Sequence, residues 1–192
     1  METASLWLMD ANGANQRPLL PTVPGQLDYP GSWSRDGSLL AFSRGRFFVP
    51  ESGPDPTPAA VYVAALDGSG IRRVAERGWA PTFSPDGSLI AYASEREQNG
   101  ELRYPDEWYY ATELHVVGGD GGNDRRLTRT RDLSEGAPSW SPDGQWIAYD
   151  RVDRGGNHSR VMALRPDGSG ARILAAAPDR DYLSPSWRPR PR

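Results

Sequence analysis

A ten-residue pattern occurs three times in this chain of 192 residues. Its copies are Trp33-Ser34-Arg35-Asp36-Gly37-Ser38-Leu39-Leu40-Ala41-Phe42, Phe83-Ser84-Pro85-Asp86-Gly87-Ser88-Leu89-Ile90-Ala91-Tyr92 and Trp140-Ser141-Pro142-Asp143-Gly144-Gln145-Trp146-Ile147-Ala148-Tyr149. A remnant, Pro185-Ser186-Trp187-Arg188-Pro189, follows near the end. Self-similarity with a period near 50 residues marks a protein built from stacked copies of one supersecondary unit.

A second unit alternates with the first. It runs Leu6–Gly13, Val61–Gly68, Leu114–Gly121 and Val161–Gly168, and each copy leads into an Arg-containing strand such as Arg72-Arg73-Val74-Ala75 or Arg125-Arg126-Leu127-Thr128. Both units spell strand, Asp-Gly or Asn-Gly turn, strand, a strong local hairpin signal. Glycine supplies the positive φ such turns need, and the Asp side chain bonds its own backbone. That assigns Asp36, Asp86, Asp143, Asp67, Asp120 and Asp167 to turns rather than to a metal. Two successive hairpins form a four-stranded antiparallel meander, with strands A and B from the first unit and C and D from the second. The pattern predicts an all-β fold, a β-propeller of four-stranded antiparallel blades. Full blades are expected over Gly31–Ala75, Pro81–Thr128 and Pro138–Ala175. The chain opens on a C–D hairpin, Leu6–Leu20, and ends on a lone A strand, Pro185–Arg188. Set side by side, these would form a fourth blade from both termini and hide the open edges. Residues 1–192 then form one domain of about four blades, and ring closure within the chain predicts a monomer in preference to a dimer of half-rings.

Composition agrees. Gly and Pro number 21 and 18, hydrophobic residues make up 37%, and aromatics 10%, as suits short strands joined by many turns. All 22 basic residues are Arg, and the net charge of −3 favours neither nucleic acid nor an anionic membrane surface. There is no Cys, hence no disulfide, thiolate metal site or cysteine nucleophile. The first residues lack the basic and apolar regions of a signal peptide, and no apolar run approaches membrane-spanning length. The two histidines, His115 within a strand and His158 in a loop, have no ligand spacing. No transition metal or cofactor is expected. Serine-nucleophile, zinc-helix, phosphate-loop and dinucleotide motifs are missing, so the chain is not expected to be an enzyme.

The Trp-Ser-Pro-Asp-Gly-x-x-Ile-Ala-Tyr pattern, followed by a Leu-x-Val-x-x-x-Asp-Gly hairpin and Arg-Arg-Leu-Thr, resembles the WD40-like repeats of TolB-like β-propellers. The likeness covers nearly the whole chain outside its loops. It implies six or more blades in a complete ring and a periplasmic or extracytoplasmic setting. It also implies an occasional association with hydrolases.

In an A–B–C–D meander the tight A–B and C–D turns emerge at one end, and the B–C and D–A connections at the other. Every long connection here is of the second kind: Gly45–Ala59, Glu95–Glu113, Val152–Ser159, Pro21–Pro30, Arg129–Ala137 and Ala176–Ser184. Function concentrates on loops held by a rigid scaffold. The candidate ligand-binding residues are therefore Phe47, Phe48, Tyr104, Asp106, Glu107, Trp108, Tyr109, His158, Asp181 and Tyr182. Their aromatics form either a recognition surface or caps folded back over a blade edge, and Trp108–Tyr110 could also begin strand C. Trp33, Phe83, Trp140 and Trp187 recur once per repeat, as core residues between blades do. The expected function is a non-enzymatic scaffold that binds a protein or peptide through its loop face. The alternatives are a propeller tied to a sugar-processing or peptidase activity, and an assembly unit that forms a larger ring as a dimer.

Overall fold

The computed structural model describes residues 4–45, 58–97, 101–104, 107–131, 133–153 and 159–188. Among them there is no helix, and so none long and apolar enough to cross a membrane. Sixteen strands are formed: β1 (Trp7–Leu8), β2 (Arg17–Pro18), β3 (Leu27–Trp33), β4 (Leu39–Gly45), β5 (Ala60–Ala65), β6 (Arg72–Ala75), β7 (Gly78–Phe83), β8 (Leu89–Ser94), β9 (Glu101–Tyr104), β10 (Glu107–Tyr110), β11 (Glu113–Gly118), β12 (Arg125–Arg126), β13 (Leu133–Trp140), β14 (Ile147–Asp153), β15 (Ser159–Leu164) and β16 (Arg172–Ala175). They build three antiparallel A–B–C–D sheets, β3–β6, β7-β8-β11-β12 and β13–β16, and two separate hairpins, β1–β2 and β9–β10. The blades expected from the repeat are present.

The turns behave as their residues dictate. In the first A–B turn Gly37 has φ +71° and donates its amide to Ser34 O at 2.9 Å. Asp36 Oδ1 accepts from Ser34 Oγ, Ser38 N and Ser38 Oγ. The bond from Ser34, then those from Ser38, hold this exposed carboxyl at about 2. Asp86 and Asp143 repeat the arrangement with Ser84 and Ser141.

Each A strand starts earlier than its pattern indicates, at Leu27, Gly78 and Leu133. The cause is a bulge in all three, between Pro30 and Trp33, Trp79 and Thr82, and Gly136 and Ser139. At the bulge Ala80 and Ala137 take φ +49° and +44°, which breaks the two-residue alternation that signals a strand. Ser184 has φ +51° at the equivalent place in the last copy.

Blades stack through both of their faces. Ala41, Val61, Val63 and Val74 of the first blade pack against Phe83, Ile90, Tyr92 and Val117 of the second. Ala91, Leu114, Val116 and Leu127 of the second pack against Trp140, Ile147, Tyr149, Met162 and Leu164 of the third. Leu19 and Leu20, after β2, join Leu6 and Leu8 against Leu40, Phe42 and Ala64 of the first blade. Directional bonds repeat at these seams. The A-strand amides of Asp28, Gly78 and Glu135 donate to the carbonyls of Ala4, Ala59 and Thr112, just before strand C of the preceding unit. Trp140 Nε1 donates to Thr82 O, and Trp187 Nε1 to Ser139 O, one blade back in each case.

The stack is open. Residues 181–188 dock on the third blade as a further A strand would, yet they join no sheet, and β1–β2 pairs only with itself. The terminal parts expected to complete a fourth blade inside the chain stand at opposite ends of the stack, because each is held by its own neighbouring blade.

Close approach at the seams makes Gly68 and Gly168 far less replaceable than the turn glycines at the surface. A Cβ on Gly68 (φ +80°) would stand 2.1 Å from Leu19 O, whereas one on Gly144 (φ +70°) would meet nothing nearer than Pro85 Cδ at 3.7 Å. Gly144→Ala should cost about 1 kcal/mol from backbone strain alone. Gly68→Ala should cost on the order of 3 kcal/mol, since the first blade must move off its neighbour. Urea denaturation of the two variants checks this; equal losses would contradict the seam packing.

Candidate functional site

The long-connection end is built over a layer of buried polar side chains. In the first blade the registered pair Asp28 and Arg44 forms a bidentate ion pair, Nε to Oδ1 at 2.6 Å and Nη2 to Oδ2 at 2.9 Å, with both side chains buried. The guanidinium also lies over the Phe42 and Tyr62 rings. It thus closes the end of the hydrophobic seam and leaves no bare charge there.

A second cluster spans the seam between the second and third blades. Glu113 Oε1 accepts from Arg126 Nη2 at 2.5 Å and Thr130 N at 2.9 Å, and its Oε2 accepts from Thr128 Oγ1 at 2.5 Å. Glu135, on strand A of the next blade, accepts at Oε1 from Thr130 Oγ1. Its Oε2 lies 3.4 Å from the Thr128 hydroxyl, whose one proton is already directed at Glu113. Burial, reinforced by the nearby Glu113 carboxylate and opposed by the Thr130 bond, raises Glu135 to about 7. Both glutamates are fully buried. Through the hydroxyls of Thr128 and Thr130 this buried pair fastens two blades together.

A third cluster lies on the second blade. Asp124 Oδ1 accepts from Tyr92 OH at 2.8 Å, and its Oδ2 pairs with Arg96 Nη1 at 2.6 Å. The fully buried His115 places Nδ1 3.0 Å from Arg96 Nη2 and 3.3 Å from Asp124 Oδ1. Burial alone would raise Asp124, but bonds from His115, Arg96 and Tyr92 outweigh it and hold the carboxyl at about 2. His115 is thus a packing residue, as its mid-strand position suggested, with an ion-pair network around it. Asp120, assigned to a turn by its glycine neighbours, accepts from Gly122 N at 2.8 Å.

Four of the sequence-predicted site residues, Phe47, Phe48, Asp106 and His158, lie outside the described residues. Tyr104, Glu107, Trp108 and Tyr109 fall on the β9–β10 hairpin, with Glu107 opposite Tyr104, Trp108 opposite Arg103 and Tyr109 opposite Leu102. Trp108–Tyr110 therefore belongs to an arm of its own, and strand C begins later, at Glu113. Asp181 and Tyr182 fasten the last segment to β15: Asp181 Oδ1 accepts from Ser159 N at 2.8 Å, and Tyr182 N donates to Ser159 Oγ at 2.7 Å. At the opposite, tight-turn end there is a depression near 400 Å³ with Trp33, Arg35, Phe83 and Trp140 among its walls. Phe83 and Trp140 are buried as core positions should be, whereas Trp33 is partly exposed. Among the described residues, no A strand stands behind it.

No family model matches the chain. Tricorn protease homolog 1 of Streptomyces coelicolor is 30% identical over 162 residues, 82% of this chain and 13% of that protein. The Tol-Pal system protein TolB of Alcanivorax borkumensis is 34% identical over 111 residues, 56% of this chain and 23% of that protein. The solved structure of a TolB-type protein of Agrobacterium tumefaciens superposes with a TM-score of 0.69 at 20% identity, covering 90% of this chain and 56% of that one. The chain is a TolB-like β-propeller. It spans less than a quarter of each of the two curated relatives and just over half of the solved one. The departures of this TolB-like propeller from a plain repeat, the β9–β10 arm and the buried Glu113–Glu135 pair, sit at the long-connection end.

Glu135 gives the seam a pH dependence with a definite sign. Its folded value, about 7, lies above its ordinary value of 4.5, so its contribution is present in full below 4.5 and is lost as pH rises through 7. Glu135→Gln keeps an acceptor for Thr130 and removes the charge. The variant should match the parent near pH 4.5 and exceed it at pH 8.5 by about 2–3 kcal/mol. Denaturation at the two pH values checks this; a variant weaker than the parent at pH 8.5 would contradict a proton held by Glu135.

Proposed function

We propose that this TolB-like propeller is a non-enzymatic scaffold that binds a protein or peptide through its long-connection face. The observation that carries the reading is the β9–β10 arm, inserted between strands B and C of the central blade. It brings Tyr104, Glu107, Trp108, Tyr109 and Tyr110 into one two-stranded element, and aromatic-rich arms on rigid frames suit recognition of polypeptides. A free hairpin edge also offers backbone groups to an extended peptide. The buried state of Glu113, Glu135, Asp28 and His115 supports the non-catalytic part, since each is committed to partners within the sheets. The Alcanivorax relative is, by its name, a Tol-Pal system protein, which agrees with work inside a protein assembly.

A second reading, a propeller that serves a peptidase, is favoured by the Streptomyces relative, whose name is that of a protease homologue. One experiment addresses both. A displayed peptide library is panned against the chain and against a variant in which residues 98–110 are replaced by a Gly-Ser link, with circular dichroism confirming its fold. Enriched peptides should bind the parent and lose at least tenfold in affinity for the variant, and should survive intact on incubation. Equal binding to both forms would overturn the role of the arm, and cleavage of the peptides by the chain alone would overturn the non-enzymatic reading.

A further inference from the structure

We propose that Arg151 and Arg160, on the seam between the second and third blades, form a binding site for a carboxylate brought by a ligand. The internal repeat carries the argument. One row of residues crosses strands A, B and C of each blade at the long-connection end. The row is Asp28, Arg44 and Ala60 in the first blade, and Gly78, Ser94 and Glu113 in the second. In the third it is Glu135, Arg151 and Arg160.

The first two rows satisfy their own polar groups. The Arg44 guanidinium holds Asp28 through two bonds, at 2.6 Å and 2.9 Å, and reaches Pro21 O at 3.4 Å. Ser94 donates its hydroxyl to Arg77 O at 2.6 Å, and Glu113 accepts from Arg126, Thr128 and Thr130. The third row departs from this. Arg151 stands where Arg44 does, directly across from an acid, yet Glu135 is bonded to Thr130 on the preceding connection. Arg151 Nε is buried with no hydrogen-bond partner among the described residues. A buried donor without an acceptor is rare in a folded chain and calls for a water or an ion. With its pKa raised to about 7, Glu135 is uncharged on the acid side of neutrality and offers Arg151 no counter-ion there.

On its other side Arg151 faces a second guanidinium in place of the small Ala60 of the first blade. Residues directly opposite on antiparallel strands stand about 5 Å apart on the same face, where like charges repel. An anion beside the two arginines relieves that repulsion. The first blade states which anion: the same register position there holds the carboxylate of Asp28, whose two oxygens match the fork of a guanidinium. Both arginines are half-buried. Their row lies one step beyond the Tyr149–Met162 pair that packs against the second blade, so the site belongs to an internal seam and to the long-connection end. A polypeptide as the source of the carboxylate rests on the scaffold reading above; the site itself does not.

NMR of the arginine Nε–H groups in the full chain tests this at pH 6, where Glu135 is uncharged. One probe is N-acetylaspartate N-methylamide, which carries only a side-chain carboxylate, and the other is N-acetylalanine, which carries only a terminal one. The Arg151 and Arg160 peaks, identified by their loss in Arg151→Gln and Arg160→Gln, should shift saturably with at least one probe. Sodium chloride at equal ionic strength should not reproduce the shift. In Arg151→Gln, with its backbone amide spectrum showing an intact fold, the response of Arg160 should weaken by about tenfold or more. The tighter probe tells a side-chain carboxylate from a chain terminus. A linear, chloride-like response to both probes, or a saturable one unchanged in Arg151→Gln, would overturn the proposal. Binding of these probes by a chain that enriches no library peptide would keep the site and remove the scaffold reading alone.

Discussion

The first two blades of this protein each have two apolar faces. Along β4 and β5 the alternation of a strand sends Ala41, Val61 and Val63 towards one neighbour and Leu40, Phe42 and Ala64 towards the other. A sheet with one wet face can stand alone or against a single layer; a sheet dry on both faces must be sandwiched. Stability therefore resides at the seams, and the seams fix the geometry of everything else. The A-strand amides bound to the preceding unit and the indoles of Trp140 and Trp187 add direction to a contact that apolar burial alone would leave free to slide.

The polar clusters follow from the same constraint. Where a seam reaches the long-connection end, strand ends bring charged residues close to the dry interior, and burying them is costly unless each finds a partner. Three clusters solve this in different ways: a bidentate Asp28–Arg44 pair within the first blade, a Glu135 raised to about 7 beside Glu113 across one seam, and Asp124 surrounded by Tyr92, Arg96 and His115 within the second blade. Of the three, the Glu113–Glu135 cluster joins two blades, while the other two neutralise charges within one.

The blades were legible in the sequence because their signals are local. An Asp-Gly turn flanked by alternating strands needs no knowledge of the rest of the chain, and Asp36, Asp86 and Asp143 play the turn role their neighbours imply. The first half of each A strand was hidden, since a bulge centred on Ala80 or Ala137 interrupts the alternation and neither residue advertises a positive φ. The β9–β10 arm is hard to foresee because Tyr104–Tyr110 carries Pro and acidic residues, poor strand formers, beside a Trp108–Tyr110 run that could equally begin strand C. The Glu113–Glu135 pair had no signature at all: the two residues belong to different blades, and only stacking brings them to one Thr128. Asp181 and Tyr182 were chosen as loop residues and turn out to tie the last segment to Ser159.

A double-mutant cycle across the seams tests most directly the claim that neighbouring blades stabilise one another. Leu127 and Leu164 share the cluster between the second and third blades, whereas Leu20 lies in the cluster behind the first. Truncating Leu127 and Leu164 to Ala, singly and together, should reveal a coupling of about 0.5–3 kcal/mol in urea denaturation. The same cycle for Leu20 and Leu164 should be additive within about 0.5 kcal/mol. Additivity in the first pair, or equal coupling in both, would contradict a fold held together seam by seam.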